Sequence, residues 1–176
     1  MKIVLKFGGT SLASPKDIRN VAKTIASFSK DNQIIVVCSA VDGVTDDLIT
    51  ISRLIEQKRK NNVVTNLKGV IIKHRKLANQ TIKNSVIKKQ LLEKLSTDIS
   101  ELQELVRGLT LLKEVSARSL DYLISFGERL SDDLVSYALQ DLKKKSTALN
   151  GKEVGIVTDS NFGESRPLMD TTRIRI

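Results

Sequence analysis

The sequence predicts an α/β fold: a mostly parallel sheet with helices on both faces, carrying a helical insertion over about residues 50–125. Three observations carry this. Two β-branched runs, KIVLKF at residues 2–7 and QIIVVCS at 33–39, flank one helix-length amphipathic segment, the spacing of a right-handed crossover between parallel strands. The second run is apolar throughout, as a strand covered on both faces is. Between residues 66 and 107 apolar residues recur at helical spacing with no strand pattern among them.

The first run leads directly into Gly8-Gly9-Thr10-Ser11. Ser14 then fits an N-cap with Pro15 at the first helical position and Asp17 in the first turn, and Ile18, Val21, Ala22 and Ile25 keep a helical period to about Ser29. Asp31-Asn32 marks the turn into the second strand. A loop over residues 40–47 follows, with Thr45 as the expected N-cap of a helix that places Leu48, Ile51 and Ile55 on one face. Residues 66–107 are expected to be helical throughout. One stripe is Leu67, Val70, Ile71, His74, Leu77 and Ala78; a second is Ile87, Leu91, Leu95, Ile99, Leu102 and Val106, closed by Gly108. A further helix is expected from about Ser116 to Leu142, interrupted or closely packed at Gly127. Two short strands, Ser146 to Leu149 and Val154 to Thr158, flank the Asn150-Gly151 turn signal.

Composition narrows the class. The chain has 176 residues, 40% hydrophobic and 28% charged, with 9 Gly and 2 Pro, which excludes collagen-like and Pro/Gly-rich disordered chains. Its one cysteine, Cys38, cannot form an intramolecular disulfide, so a cytoplasmic setting is expected, and no run is long enough to span a membrane. Residues 53–118 hold 15 basic and 6 acidic residues, which accounts for the whole net charge of +9. That segment lacks the aromatic interleaving of a single-strand binder, so nucleic acid is not an expected partner. Its lysines fit a solvated helical face or a surface for acidic partners, away from the residues assigned to chemistry.

Chemistry is expected where strands end at glycine loops. Gly8 and Gly9 lack Cβ atoms, so their amides can approach a phosphate, Thr10 and Ser11 add hydroxyls, and Lys6 can bring an ammonium to the same place. A plain Gly-Gly turn is the other explanation of that stretch. The second loop offers Ser39 and Thr45 at a helix start suited to a carboxylate, although simple capping explains Thr45 equally. Glu128 could pair with a substrate ammonium or with its neighbour Arg129. His74, on an apolar face, fits a packed core histidine, and Cys38 an inert core thiol. No residues show metal-ligand spacing.

Taken together, Lys6-Phe7-Gly8-Gly9-Thr10-Ser11, residues 36–46 (VVCSAVDGVTD), Gly127-Glu128-Arg129-Leu130-Ser131 and Phe162-Gly163-Glu164-Ser165-Arg166-Pro167 closely resemble aspartate kinase, within the amino-acid kinase superfamily. The resemblance spans essentially the whole chain. It implies that Lys6 contacts the transferring phosphoryl group and that Gly8, Gly9, Thr10 and Ser11 hold the ATP phosphates. Ser39, Ala40, Thr45 and Glu128 would line an L-aspartate pocket, with Glu128 facing the amino group. The implied reaction moves the γ-phosphoryl of Mg-ATP to the β-carboxylate of aspartate, a step of lysine, threonine and methionine biosynthesis.

The family continues into a Gly-rich nucleotide-base segment and regulatory ACT domains that have no counterpart before Ile176. Residues 1–176 therefore resemble the N-terminal part of the catalytic domain, expected to be inactive alone and, with a sheet edge exposed, to self-associate as a homo-oligomer. Two alternatives stand beside this: an amino-acid kinase with another acyl acceptor, and a non-catalytic basic binding or assembly module.

Overall fold

The computed structural model describes residues 1–176. β1 (Lys2–Phe7) and β2 (Gln33–Cys38) form a two-stranded parallel sheet with Lys2 opposite Gln33 and Phe7 opposite Cys38. The crossover is α1 (Pro15–Phe28), whose start is fixed by Pro15 and by the Ser14 hydroxyl, which accepts from the Asp17 amide at 3.2 Å.

α2 (Val44–Glu56), α3 (Lys60–Thr81), α4 (Ser85–Leu112) and α5 (Ala117–Asp141) follow, and a short α6 (Met169–Arg175), which no sequence signal announced, ends the chain. α5 is the centre of the packing: it touches α1, α2, α4 and β2 and buries Leu123, Phe126, Leu130 and Leu134 completely. None of the helices is long and apolar enough to cross a membrane.

Leu5, Phe7, Ile34 and Val36 pack from the inner face of the sheet onto this core. On the other face Val4, Ile35 and Val37 are 64%, 54% and 45% exposed, so the expected helical cover on both faces is present on one face only within these residues.

Four local expectations are corrected. The long helix over 66–107 is two helices, broken at Ile82, whose backbone is extended. The break is held by carboxyl and amide oxygens: Asn84 caps α4 by accepting from the Val86 and Ile87 amides, and Asp141 at the end of α5 accepts from the Lys83 and Asn84 amides at 3.0 and 2.9 Å. Gly108 does not close α4. The helix runs on to Leu112 because Leu109 extends the buried stripe, and Lys113 in the left-handed region ends it.

Thr45 is not the N-cap of α2. That position belongs to Gly43 at φ +75°, a conformation glycine adopts without a Cβ penalty. Finally, residues 146–149 and 154–158 form no strands. Asn150 and Glu153 exchange side-chain-to-backbone hydrogen bonds that wind residues 150–155 into a tight turn, and one antiparallel bridge, Thr158 to Pro167, is the remaining pairing.

Candidate active site

At the carboxyl ends of β1 and β2 three backbones come within van der Waals distance. Gly9 opens a 3-10 turn, Gly9–Leu12, and a Cβ placed on it would lie 3.0 Å from the Ala40 carbonyl oxygen and 3.4 Å from the Asp42 Cα. A Cβ on Gly127 of α5 would lie 2.8 Å from the Ala40 Cβ. The two glycines thus let the phosphate-type turn close on the carbonyl of Ala40 and α5 on its methyl. Gly127 is closely packed, not a helix interruption. The Ser39 amide continues the sheet ladder by donating to Phe7 at 3.0 Å, and the Ser131 hydroxyl donates to the Ser39 carbonyl at 2.7 Å.

The candidate residues distribute around this contact. Lys6, Gly8 and Thr10 are exposed, with Lys6 on the bare face of the sheet opposite Val37; Gly9 and Ser11 are half-buried. Ala40 is buried, and Ser39 and Thr45 are half-buried, Thr45 within the first turn of α2. Glu128 is half-buried on α5 and lines a groove of about 1150 Å³ along the free edge of β2, together with Cys38 and Asp132. Phe162–Pro167 stands apart: the Gly163 amide donates to Asp121 at the start of α5, and Arg118 lies over the Phe162 ring.

Glu128 makes no ion pair with Arg129. The Arg129 guanidinium turns instead to α4, donating to Asp98 at 2.7 Å and Glu101 at 2.6 Å, and stacks over the Phe126 ring. Lys94 joins the cluster with Asp98 and, at 3.4 Å, Asp133. Sequence reasoning missed this seam. Its signal was Asp98, an acid at a position of the α4 apolar stripe between Leu95 and Leu102.

Burial shapes the acids of α5. It pushes Asp132 up to about 7, with the Glu128 charge adding to the effect and the Cys38 thiol opposing it. The thiol itself is pushed up to about 12 by burial and by Asp132, so Cys38 is the inert core thiol expected. Burial raises Asp133 as well. Asp98, its partner, is held below the usual carboxylate range: burial works against this, but hydrogen bonds from Lys94, Asp133 and Arg129 prevail. His74 is fully buried with Nδ1 on the Val70 carbonyl at 2.8 Å, a packed histidine, and burial lowers its pKa.

A pH dependence follows. From about pH 4, where an unfolded aspartate ionises, up to about 7, the folded chain keeps protons on Asp132 and Asp133 that the unfolded chain has released. Stability is therefore expected to fall as pH rises through this window and to level off above it. Asp98 acts oppositely, and only below about pH 4. Urea midpoints at pH 5 and pH 8 test this, and Asp133→Asn should flatten the slope. An unchanged slope in that variant removes Asp133 as its source.

A profile of the amino acid kinase family matches residues 1–174. Aspartokinase 1, chloroplastic, of Arabidopsis thaliana is 32% identical over 163 residues, covering 90% of this chain and 27% of its own length. The aspartokinase of Corynebacterium glutamicum is 26% identical over 99% of this chain and 28% of its own length. In fold, the chain superposes on E. coli aspartokinase III, solved with aspartate and ADP, with a TM-score of 0.81 at 20% identity over 99% of this chain and 36% of that one. The chain thus spans about a third or less of the relatives it matches. With the family profile running the length of both strands, the glycine turn and all of α5, the chain belongs to the amino acid kinase family.

Proposed function

We propose that residues 1–176 supply the phosphate turn and the acceptor loop of an aspartate kinase, which transfers the γ-phosphoryl of ATP to the β-carboxylate of L-aspartate. The observation that carries this reading is Glu128. Arg129, its natural partner in sequence, is bound to α4, so a half-buried carboxylate without an ion partner faces the groove beside the end of β2. An α-ammonium is the complement such a group lacks. The relatives named aspartokinase support the acceptor.

In this reading a β-carboxylate oxygen attacks the γ-phosphorus while the bond to the β,γ-bridging oxygen breaks and ADP leaves. Phosphoryl transfer needs positioning and charge neutralisation more than a protein nucleophile. Lys6 brings an ammonium to the transferred group, and the turn at Gly8, Gly9, Thr10 and Ser11 holds the phosphates. The Ser11 amide is spent inside the turn, donating to the Gly8 carbonyl at 3.0 Å, so Ser11 contributes chiefly through its hydroxyl. Ser39, Ala40 and Thr45 place the acceptor opposite.

These residues do not fit a Mg²⁺ site. The phosphate turn offers an ammonium, amides and hydroxyls, with no carboxylate, and no group of three or more His, Cys, Asp or Glu side chains is arranged to hold a metal ion. The Mg²⁺ of Mg-ATP belongs with the nucleotide.

Calorimetric titration tests the reading. Glu128→Gln is expected to weaken L-aspartate binding by roughly tenfold or more, since a charge-assisted hydrogen bond is lost. Lys6→Met is expected to weaken nucleotide binding and leave aspartate binding intact. Wild-type affinity for aspartate in Glu128→Gln overturns the assignment. Coupled ADP release from residues 1–176 should stay near background, because Lys6, Gly8 and Thr10 are open to water. A panel with glutamate and other carboxylates separates aspartate from a different acyl acceptor.

A further inference from the structure

We propose that Lys73 of the basic helix α3 is a positioning residue for the acceptor loop, strapping residues 42–43 against the phosphate turn; the consequence for substrate rests on the aspartate kinase reading above. Lys73 is 31 residues from Asp42 in sequence, yet its Nζ donates to the Asp42 main-chain carbonyl. The same Nζ lies 3.7 Å from where a Cβ of Gly43 would stand. The Cβ position of Gly9 lies 3.4 Å from the Asp42 Cα and 3.5 Å from its nitrogen. The Asp42 backbone thus meets the phosphate turn at its nitrogen and Cα and an ammonium at its carbonyl.

The rest of the loop explains why a strap acts here. Ala40 and Val41 are buried at 4% and 1% exposure and are fixed by the core, whereas Asp42 and Gly43 are exposed. Gly43 caps α2 in the left-handed region and offers no side chain to close the helix start. Glycine is the residue with most conformational freedom to lose, so the junction of loop and helix is the part least constrained by its own sequence. Lys73 supplies the constraint from outside.

Its base is rigid. The next residue, His74, is fully buried and bonded to Val70, which fixes α3 at this turn. Lys73 takes part in none of the ion pairs, so no carboxylate competes for its ammonium. The basic insertion, expected from sequence to stand clear of the chemistry, therefore reaches it through this one lysine.

Lys73→Met and Lys73→Arg separate the strap from general packing. In Lys73→Met, amide hydrogen exchange at residues 43–45 is expected to rise about tenfold, while β1, β2 and the middle of α5 exchange as in wild type. L-aspartate should bind roughly tenfold more weakly with nucleotide affinity unchanged, and Lys73→Arg should restore most of both. In an active full-length enzyme carrying the same change, KM for aspartate rises with kcat nearly constant.

Unchanged exchange in Lys73→Met overturns the proposal, and so does loosened exchange with wild-type aspartate affinity. Wild-type protein that fails to bind aspartate counts against the substrate reading instead, and the exchange arm then decides the strap by itself. The half-buried surface position of Lys73 keeps the fold intact in both variants, which an unchanged melting temperature verifies.

Discussion

Arg129→Met is expected to destabilise the chain by about 4 kcal/mol, measured by urea unfolding at pH 7, because it strips the guanidinium from a buried acidic cluster. Asp98 and Asp133 are each 3% exposed, on facing sides of the α4–α5 seam. Asp98 carries the buried charge, compensated by Arg129 and Lys94, while Asp133, which burial pushes up to about 7, shares Lys94 as it ionises. With Arg129 gone, Asp98 keeps Lys94, whose ammonium it already shares with Asp133, and Glu101 at the rim keeps the Tyr122 hydroxyl but loses its cation. Methionine retains much of the packing over Phe126, so the loss reports charge and not volume. Replacing Arg129 and Asp98 together by apolar residues should cost much less than Arg129→Met, since breaking a buried pair is more damaging than removing it whole. A loss below about 1 kcal/mol in Arg129→Met shows that solvent reaches the seam. On the aspartate kinase reading proposed above, the effect extends to binding, because Arg129 is the neighbour of Glu128 on α5 and ties that turn of the helix to α4. Aspartate affinity in Arg129→Met should then fall even where the protein is fully folded.

How much of this was legible depends on whether a feature is written locally. The crossover was: β-branched runs, Ser14-Pro15 and Asp31-Asn32 each act within a few residues, and β1, α1 and β2 stand where they point. The stripes Leu67 to Ala78 and Ile87 to Val106 gave the correct core-facing sides for the same reason, buried throughout except at Ile87, which is half-buried. What escaped were features decided by distant partners. The break at Ile82 looks like continuous helix until Asp141 arrives from the end of α5 to hold the Lys83 and Asn84 amides. The 146–149 and 154–158 segments have strand composition, but a strand needs a neighbour, and local Asn150–Glu153 bonding prevails where the one pairing is the bridge from Thr158 to Pro167. At the candidate site, glycines and hydroxyls stand out in the sequence because their types are distinctive, whereas the partners of Arg129 and Lys73 are not written near them. Neither residue's hydrogen-bond partners lie within 25 positions of it in the chain.

Gly127 carries the other large effect. Gly127→Val is expected to lower stability by about 3 kcal/mol, although valine favours a helix more than glycine does. The Cβ alone would stand 2.8 Å from the Ala40 Cβ, and the γ-methyls would meet Val44 and Leu48, whose side chains already lie 3.6 Å from that Cβ. None of these atoms is the free end of a flexible chain: Ala40 is 4% exposed and pinned between Gly9 and α5, and Val44 and Leu48 are fully buried. The strain must move either α5 or the loop. A double-mutant cycle identifies the contact. Gly127→Ala should cost about 2 kcal/mol in the wild-type background and much less with Ala40→Gly, which removes the opposing methyl, giving a coupling of about 1 kcal/mol or more. Additive losses would place the strain elsewhere. Because Ala40 leads directly into the Asp42 peptide that Gly9 and Lys73 hold, Gly127→Ala should also weaken aspartate binding at temperatures where the chain remains folded. The double variant should recover it in proportion to the stability regained, which ties the geometry of the acceptor loop to one methyl-sized gap beneath it.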